Sequence, residues 1–112
     1  MTPFEFGDII LVPFPFTDQA SSKKRPAVVI SSEVYNTSRP DLIIMAVTSQ
    51  IRPTSTIGEV IVQQWQEAGL LKPSAIKPVI TTLEKNLVIK AMGRLGKGDQ
   101  KALRESLQEI VG

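Results

Sequence analysis

Apolar residues along this chain fall in short, dense runs, cut apart by proline, glycine and polar clusters. Ile9-Ile10-Leu11-Val12 follows a Gly7-Asp8 turn and reads as a strand rich in β-branched residues. Pro13 and Pro15 end it or confine it to an edge, since proline has no N–H for a central ladder. Thr17 to Lys24 is polar and reads as a loop, and Pro26 to Ser31 predicts a second strand. Glu33 to Asp41 predicts a turn region holding Tyr35-Asn36, with an Arg39-Pro40 step that disfavours helix. Leu42 to Thr48 is almost unbroken in apolar character, which predicts a buried central strand. After a loop at Pro53, Glu59 to Val62 predicts a fourth strand, and Gln64 to Leu71 a short helical turn around Trp65. Pro73 to Thr81 predicts a fifth, proline-edged strand, Leu83 to Asn86 a turn, and Val88-Ile89 a last short strand.

The period changes only at the C-terminus. Leu103, Leu107, Ile110 and Val111 fall at i, i+4, i+7 and i+8, one face of a helix, while Lys101, Arg104, Glu105 and Glu109 take other faces. Asp99, after Gly96-Lys97-Gly98, is the expected N-cap. The fold class is therefore mainly β with a C-terminal helix: five to six short strands at regular spacing, which argues for a small barrel or sandwich. No internal repeat or low-complexity tract interrupts it. With 112 residues the chain is expected to form a single domain, 1–112, with a modest core.

Composition narrows the chemistry. The chain has no cysteine, so disulfides and thiolate zinc sites are excluded, and a reducing compartment fits. It has no histidine either, which removes the usual general acid/base near neutral pH and the commonest metal ligand. Triads and pairs built on histidine, and ordinary zinc sites, cannot be assembled. The N-terminus lacks the pattern of a signal peptide, and no apolar stretch approaches the ~18 residues needed to span a bilayer. A cytoplasmic protein with no membrane partner is the expectation. The net charge of +2 leans weakly towards a polyanionic partner.

The candidate chemistry lies at two strand ends. Lys23-Lys24-Arg25 feeds directly into the second strand, and the central strand finishes on Thr48-Ser49. A guanidinium held beside a hydroxyl on a β scaffold suits phosphate chemistry, because arginine grips two phosphate oxygens and stays charged. For the same reason it is a poor general base; Asp18 and Glu33 are the nearest carboxylates in sequence. Lys23 and Lys24, in the bland reading, are simply solvated loop charges; beside Arg25 they could track two phosphates. Trp65 and Tyr35 read as packing or interface residues rather than base-stacking platforms.

The ordered set of short motifs resembles the MazF/PemK group of type II toxin–antitoxin toxins. It runs from Gly7-Asp8-Ile9-Ile10-Leu11-Val12 through Arg25-Pro26-Ala27-Val28-Val29-Ile30-Ser31, Tyr35-Asn36 and Val47-Thr48-Ser49. Gly69-Leu70 before Lys72-Pro73-Ser74-Ala75-Ile76, then Gly93-Arg94-Leu95 and the terminal helix, complete it. The resemblance implies an SH3-like barrel of the MazF/PemK/CcdB kind. It also implies a homodimeric endoribonuclease that cleaves single-stranded RNA without a metal or other cofactor, held in check by a cognate antitoxin. It maps a catalytic arginine onto Arg25 and a catalytic threonine onto Thr48. RNA contacts are implied along the loop before the arginine, here Thr17, Asp18, Gln19, Ser22, Lys23 and Lys24, and beside the threonine at Ser49 and Gln50. Two departures stand out. Some members carry a glutamate five residues before the arginine, where this chain has Ala20; some carry Gln-Ile-Arg in the fifth strand, where it has Val79-Ile80-Thr81. The alternative is a non-enzymatic toxin on the same fold, either a gyrase poison or an inactive antitoxin-binding protein. A peptide-binding SH3-like module is disfavoured by the few aromatic residues. In the apolar segment Val12-Pro13-Phe14-Pro15-Phe16, two phenylalanines among prolines are poorly placed for one small core and suit a dimer surface or a docking groove for an antitoxin segment.

Overall fold

Leu42 to Val47 is the longest apolar run, and it forms the strand most enclosed by others. The computed structural model describes residues 4–14, 23–52 and 56–112, with the backbone alone at Phe14. Its elements are β1 (Asp8–Phe14), β2 (Lys23–Val29), α1 (Glu33–Ser38), β3 (Asp41–Thr48), β4 (Val60–Ile61), β5 (Ala75–Glu84), β6 (Lys90–Arg94) and α2 (Lys97–Val111). The strands form one antiparallel sheet in the order β4-β5-β3-β2-β1-β6, curled into a half-barrel. Both faces of this sheet bury apolar side chains, which is why β3 reads as a continuous run rather than an alternation. One face carries Ile9, Val28, Met45 and Ile76, closed over by Leu103, Leu107 and Ile110 of α2 and by Trp65. The other carries Ile10, Val12, Ala27, Val29, Ile44 and Leu83, with Phe4 and Val88 packed against it.

Two devices set the local shape. Opposite Ala46, β5 carries three residues, Lys77-Pro78-Val79, between the pairs Met45↔Ile80 and Val47↔Ile76. Such a bulge kinks the strand and re-aims its side chains, and proline, having no N–H, is tolerated there. The second device is a close backbone crossing. A Cβ on Gly69 would strike the Met92 carbonyl, and one on Gly93 would strike the Ala68 carbonyl; Gly69 also has φ +88°. The 63–69 turn can therefore lie directly on β6 only with glycine at both positions.

Asn36 explains its place in the motif set. It is buried, its amide donates to the carbonyls of Phe4 (3.0 Å) and Ser31 (3.1 Å), and its carbonyl accepts from the Ser31 hydroxyl. The Ser31 oxygen in turn accepts from the Ile43 N–H at 3.0 Å. One side chain thus ties the N-terminus, the end of β2 and β3 together.

Several sequence expectations need correction. Pro13 is not among them: it lies in β1, paired with Lys24, past Leu11 where β6 has ended and, among the described residues, β2 alone lies alongside, the edge placement expected of it. Residues 33–38 form a short helix rather than a turn, capped by Ser32, whose hydroxyl accepts from the Tyr35 N–H; it stops at Arg39, before Pro40. β5 runs on through Leu83 to Glu84, the following turn is a 3₁₀ turn at Lys85–Leu87, and the last strand is Lys90–Arg94 rather than Val88-Ile89. The Gln64 to Leu71 stretch does hold the expected helical turn around Trp65, closed by the Ala68 N–H on the Gln64 carbonyl within a run of turns over 63–69. Gly96, not Asp99, caps α2. Asp99 is buried in the first turn and spends its carboxylate on the N–H groups of Gln63 and Gln64, both at 3.0 Å. Val111 is exposed rather than part of the core stripe.

Candidate active site

The β2–β3 ladder pairs Ala27 with Ala46. Side chains repeat every two residues on a face, so continuing that register two places brings Arg25 opposite Thr48 on the same face. The two residues line the same two hollows, one of about 440 Å³ and one of about 230 Å³, which also share Val47. Both are half-buried.

The larger hollow draws Lys23, Lys24, Arg25 and Pro26 from β2, Thr48 and Ser49 from the end of β3, and Leu70, Leu71, Lys72 and Ser74 from the segment that follows the Gly69 crossing. Among the described residues its ionisable lining groups, Lys23, Lys24, Arg25 and Lys72, are all cations. Lys72 is held in place locally: the Ser74 hydroxyl donates to its carbonyl at 2.8 Å, and the Ser74 carbonyl accepts from the Val62 N–H at 3.0 Å. The smaller hollow adds Lys77 and Val79, the residues that the β5 bulge turns towards it. The Lys77 ammonium is 2.8 Å from the Glu59 carboxylate. That hydrogen bond first, and the Thr56 N–H second, hold the Glu59 carboxyl below the usual range.

The Thr48 hydroxyl has a defined polarity. Its oxygen accepts from the Gln50 N–H at 3.1 Å, which leaves its own O–H to donate elsewhere. Gln50 thus acts on the site through its backbone. The arrangement can hold an anion with two branches of charge: a guanidinium fork, a hydroxyl donor and up to four ammonium groups around it.

Of the residues singled out from sequence, Lys23, Lys24, Arg25, Thr48 and Ser49 come together here. Thr17, Asp18, Gln19, Ala20 and Ser22 lie outside the described residues, as does Phe16. Glu33 is elsewhere, on α1, beside Glu5, Phe6 and Arg104. Lys72 and Lys77 were missed. Lysines in proline-broken segments give no signal until the bulge and the glycine crossing turn them inward. Among the described residues no group of three or more Asp, Glu, His or Cys side chains gathers to hold a metal, and no helix is long and apolar enough to cross a membrane.

The fold is one of known toxins. A mycobacterial endoribonuclease solved in complex with its cognate antitoxin matches 96% of this chain and 94% of its own, with a TM-score of 0.77 and 16% identity. MazF from Deinococcus radiodurans matches 100% and 99%, with a TM-score of 0.75 and 18% identity. The Mycobacterium tuberculosis toxin MazF-mt6 matches 91% and 93%, with a TM-score of 0.72 and 21% identity. No curated protein matches the chain by sequence. Residues 5–111 match the family model of the PemK-like, MazF-like toxin of type II toxin–antitoxin systems, and the chain belongs to that family.

Proposed function

We propose that this protein is an endoribonuclease toxin that cleaves single-stranded RNA without a metal, acts as a homodimer and is restrained by a cognate antitoxin. The observation that carries the reading is the shared hollow of Arg25 and Thr48, whose ionisable lining groups among the described residues are all cations. In the reaction the ribose 2′-OH attacks the adjacent phosphorus. The P–O5′ bond breaks, the 2′-OH proton passing to water and the departing 5′-oxygen taking one up from water, to leave a 2′,3′-cyclic phosphate and a 5′-OH strand. Arg25 bridges two phosphate oxygens and takes up the charge that grows on them. Thr48, its oxygen engaged by Gln50, donates a hydrogen bond from its O–H to a phosphate oxygen. Lys77 adds a second cation from the bulge, and Lys23, Lys24 and Lys72 hold flanking phosphates. Antitoxin control is supported by a structural neighbour solved with its antitoxin.

The test is cleavage of single-stranded RNA in EDTA, beside the same strand with 2′-deoxy substitutions. Cuts in the first, absent at substituted positions, are expected. An uncut RNA together with a supercoiling defect would reject the nuclease in favour of a gyrase poison.

A further inference from the structure

A second large groove, about 940 Å³, runs between β4 and α2, and nothing in the proposed RNA chemistry uses it. Among the described residues its ionisable lining groups, Glu59, Asp99, Glu105 and Glu109, are all acidic. Two are already committed, Glu59 to Lys77 and Asp99 to the 63–64 backbone. Glu105 and Glu109 are not: they lie one turn apart on α2, exposed, with no ion pair among the described residues. Like charges at that spacing repel, and a cation between them relieves it.

Two further observations point to a polypeptide rather than a simple ion. The Ser106 hydroxyl lines the groove, is 6% exposed, and has no hydrogen-bond partner among the described residues. A buried hydroxyl without a partner carries the full cost of its lost water. The other observation is the sheet edge. Val62 N–H donates to Ser74 carbonyl, in register with the Val60↔Ile76 pair. Alternation therefore turns the Ile61 N–H and carbonyl away from β5, towards the open side of β4. No described strand pairs there. Ile57 and Ile61 stand exposed beside it, at 75% and 38%.

We propose that this groove takes an extended segment of a partner protein in which basic residues alternate with apolar ones. The segment pairs with Ile61 as an added strand, lays apolar side chains on Ile57 and Ile61, and places a lysine or arginine between Glu105 and Glu109. A polar group of the same segment meets the Ser106 hydroxyl. RNA and anionic lipid are excluded by the sign of the charge.

The test uses the full chain and two short fluorescent peptides, one of alternating valine and lysine, the other with glutamate in place of lysine. The lysine peptide is expected to bind saturably and to shift the Ile61 amide resonance. The double variant Glu105→Gln, Glu109→Gln should weaken it about tenfold, as the loss of two half-screened pairs predicts. Ser106→Ala, which keeps every charge, should also weaken it. RNA cleavage should be untouched by either variant, so failure here is distinguishable from failure of the nuclease reading. Equal binding of both peptides, or binding indifferent to the double variant, overturns the proposal. So does self-association of the chain that the double variant abolishes, since that would give the groove to a second copy.

Discussion

Two hollows of opposite charge divide this molecule's surface chemistry. One gathers Lys23, Lys24, Arg25 and Lys72 at the junction of β2, β3 and the segment before β5; the other gathers Glu105 and Glu109 along α2. They meet at one ion pair, in which Lys77 belongs to the cationic side and Glu59 to the anionic side. A net charge of +2 conceals this separation entirely. A polyanion is drawn to one end of the pair and repelled at the other, so charge distribution orients it where total charge does not. The two regions also differ in construction. The cationic side is assembled from segments far apart in the chain, held by a bulge and a glycine crossing; the anionic side is one regular helix facing one strand edge.

The largest expected effect falls on the cationic side alone. Arg25→Ala should slow RNA cleavage by about 100- to 1,000-fold, the usual consequence of losing a donor to a developing oxyanion. Thr48→Val should lose most activity and Thr48→Ser should keep it, because serine retains the donated O–H. A Thr48→Val enzyme as fast as the parent would reduce Thr48 to a strand residue.

Next comes the glycine crossing. Gly69→Ala places a Cβ against the Met92 carbonyl at φ +88°, and Gly93→Ala places one against the Ala68 carbonyl. Backbone cannot yield as a side chain can, so each should destabilise the fold by about 2–3 kcal/mol, read by denaturant unfolding. Where the folded state survives, Lys72 is displaced and RNA affinity falls, while lysine-peptide binding at α2 holds. Parallel losses at both hollows would show that the regions are not independent.

That contrast marks what the sequence discloses. β3 and α2 were legible because burial writes a period into consecutive residues: Leu42 to Val47 unbroken, Leu103, Leu107 and Ile110 on one helical face. Arg25 and Thr48 were legible because each terminates such a run. Asp99 has the look of an N-cap but reaches across to Gln63 and Gln64, a contact 36 and 35 residues away that no local rule supplies. Lys72 and Lys77 depend on a register shift between β3 and β5 and on two glycines meeting from distant parts of the chain. Pro13 was legible as an edge residue because it has no N–H for a second neighbour, and β6 stops short of it.

A smaller effect separates phosphate tracking from catalysis. Lys72→Ala should weaken RNA binding and reduce the slope of log affinity against log salt by about 0.7, one single-strand phosphate contact, with the cleavage rate of bound RNA unchanged. An unchanged slope would place Lys72 off the RNA path.

The smallest effect is at the junction itself. Glu59→Gln removes the carboxylate that neutralises Lys77, so RNA affinity should rise, by less than about fivefold for a pair that solvent still reaches. Stability should move the other way, and with pH. The Glu59 carboxyl is held below its ordinary range in the folded protein, chiefly by Lys77 and then by the Thr56 N–H. Its contribution is therefore fully present above the ordinary carboxylate pKa of about 4.3 and lost as pH falls through the lowered folded value. The melting-temperature gap between parent and Glu59→Gln should be widest at neutral pH and close in acid. A gap constant from neutral to strongly acid pH would mean that Glu59 supports the 56–59 turn by shape rather than by charge, and the two regions would then touch without being electrostatically joined.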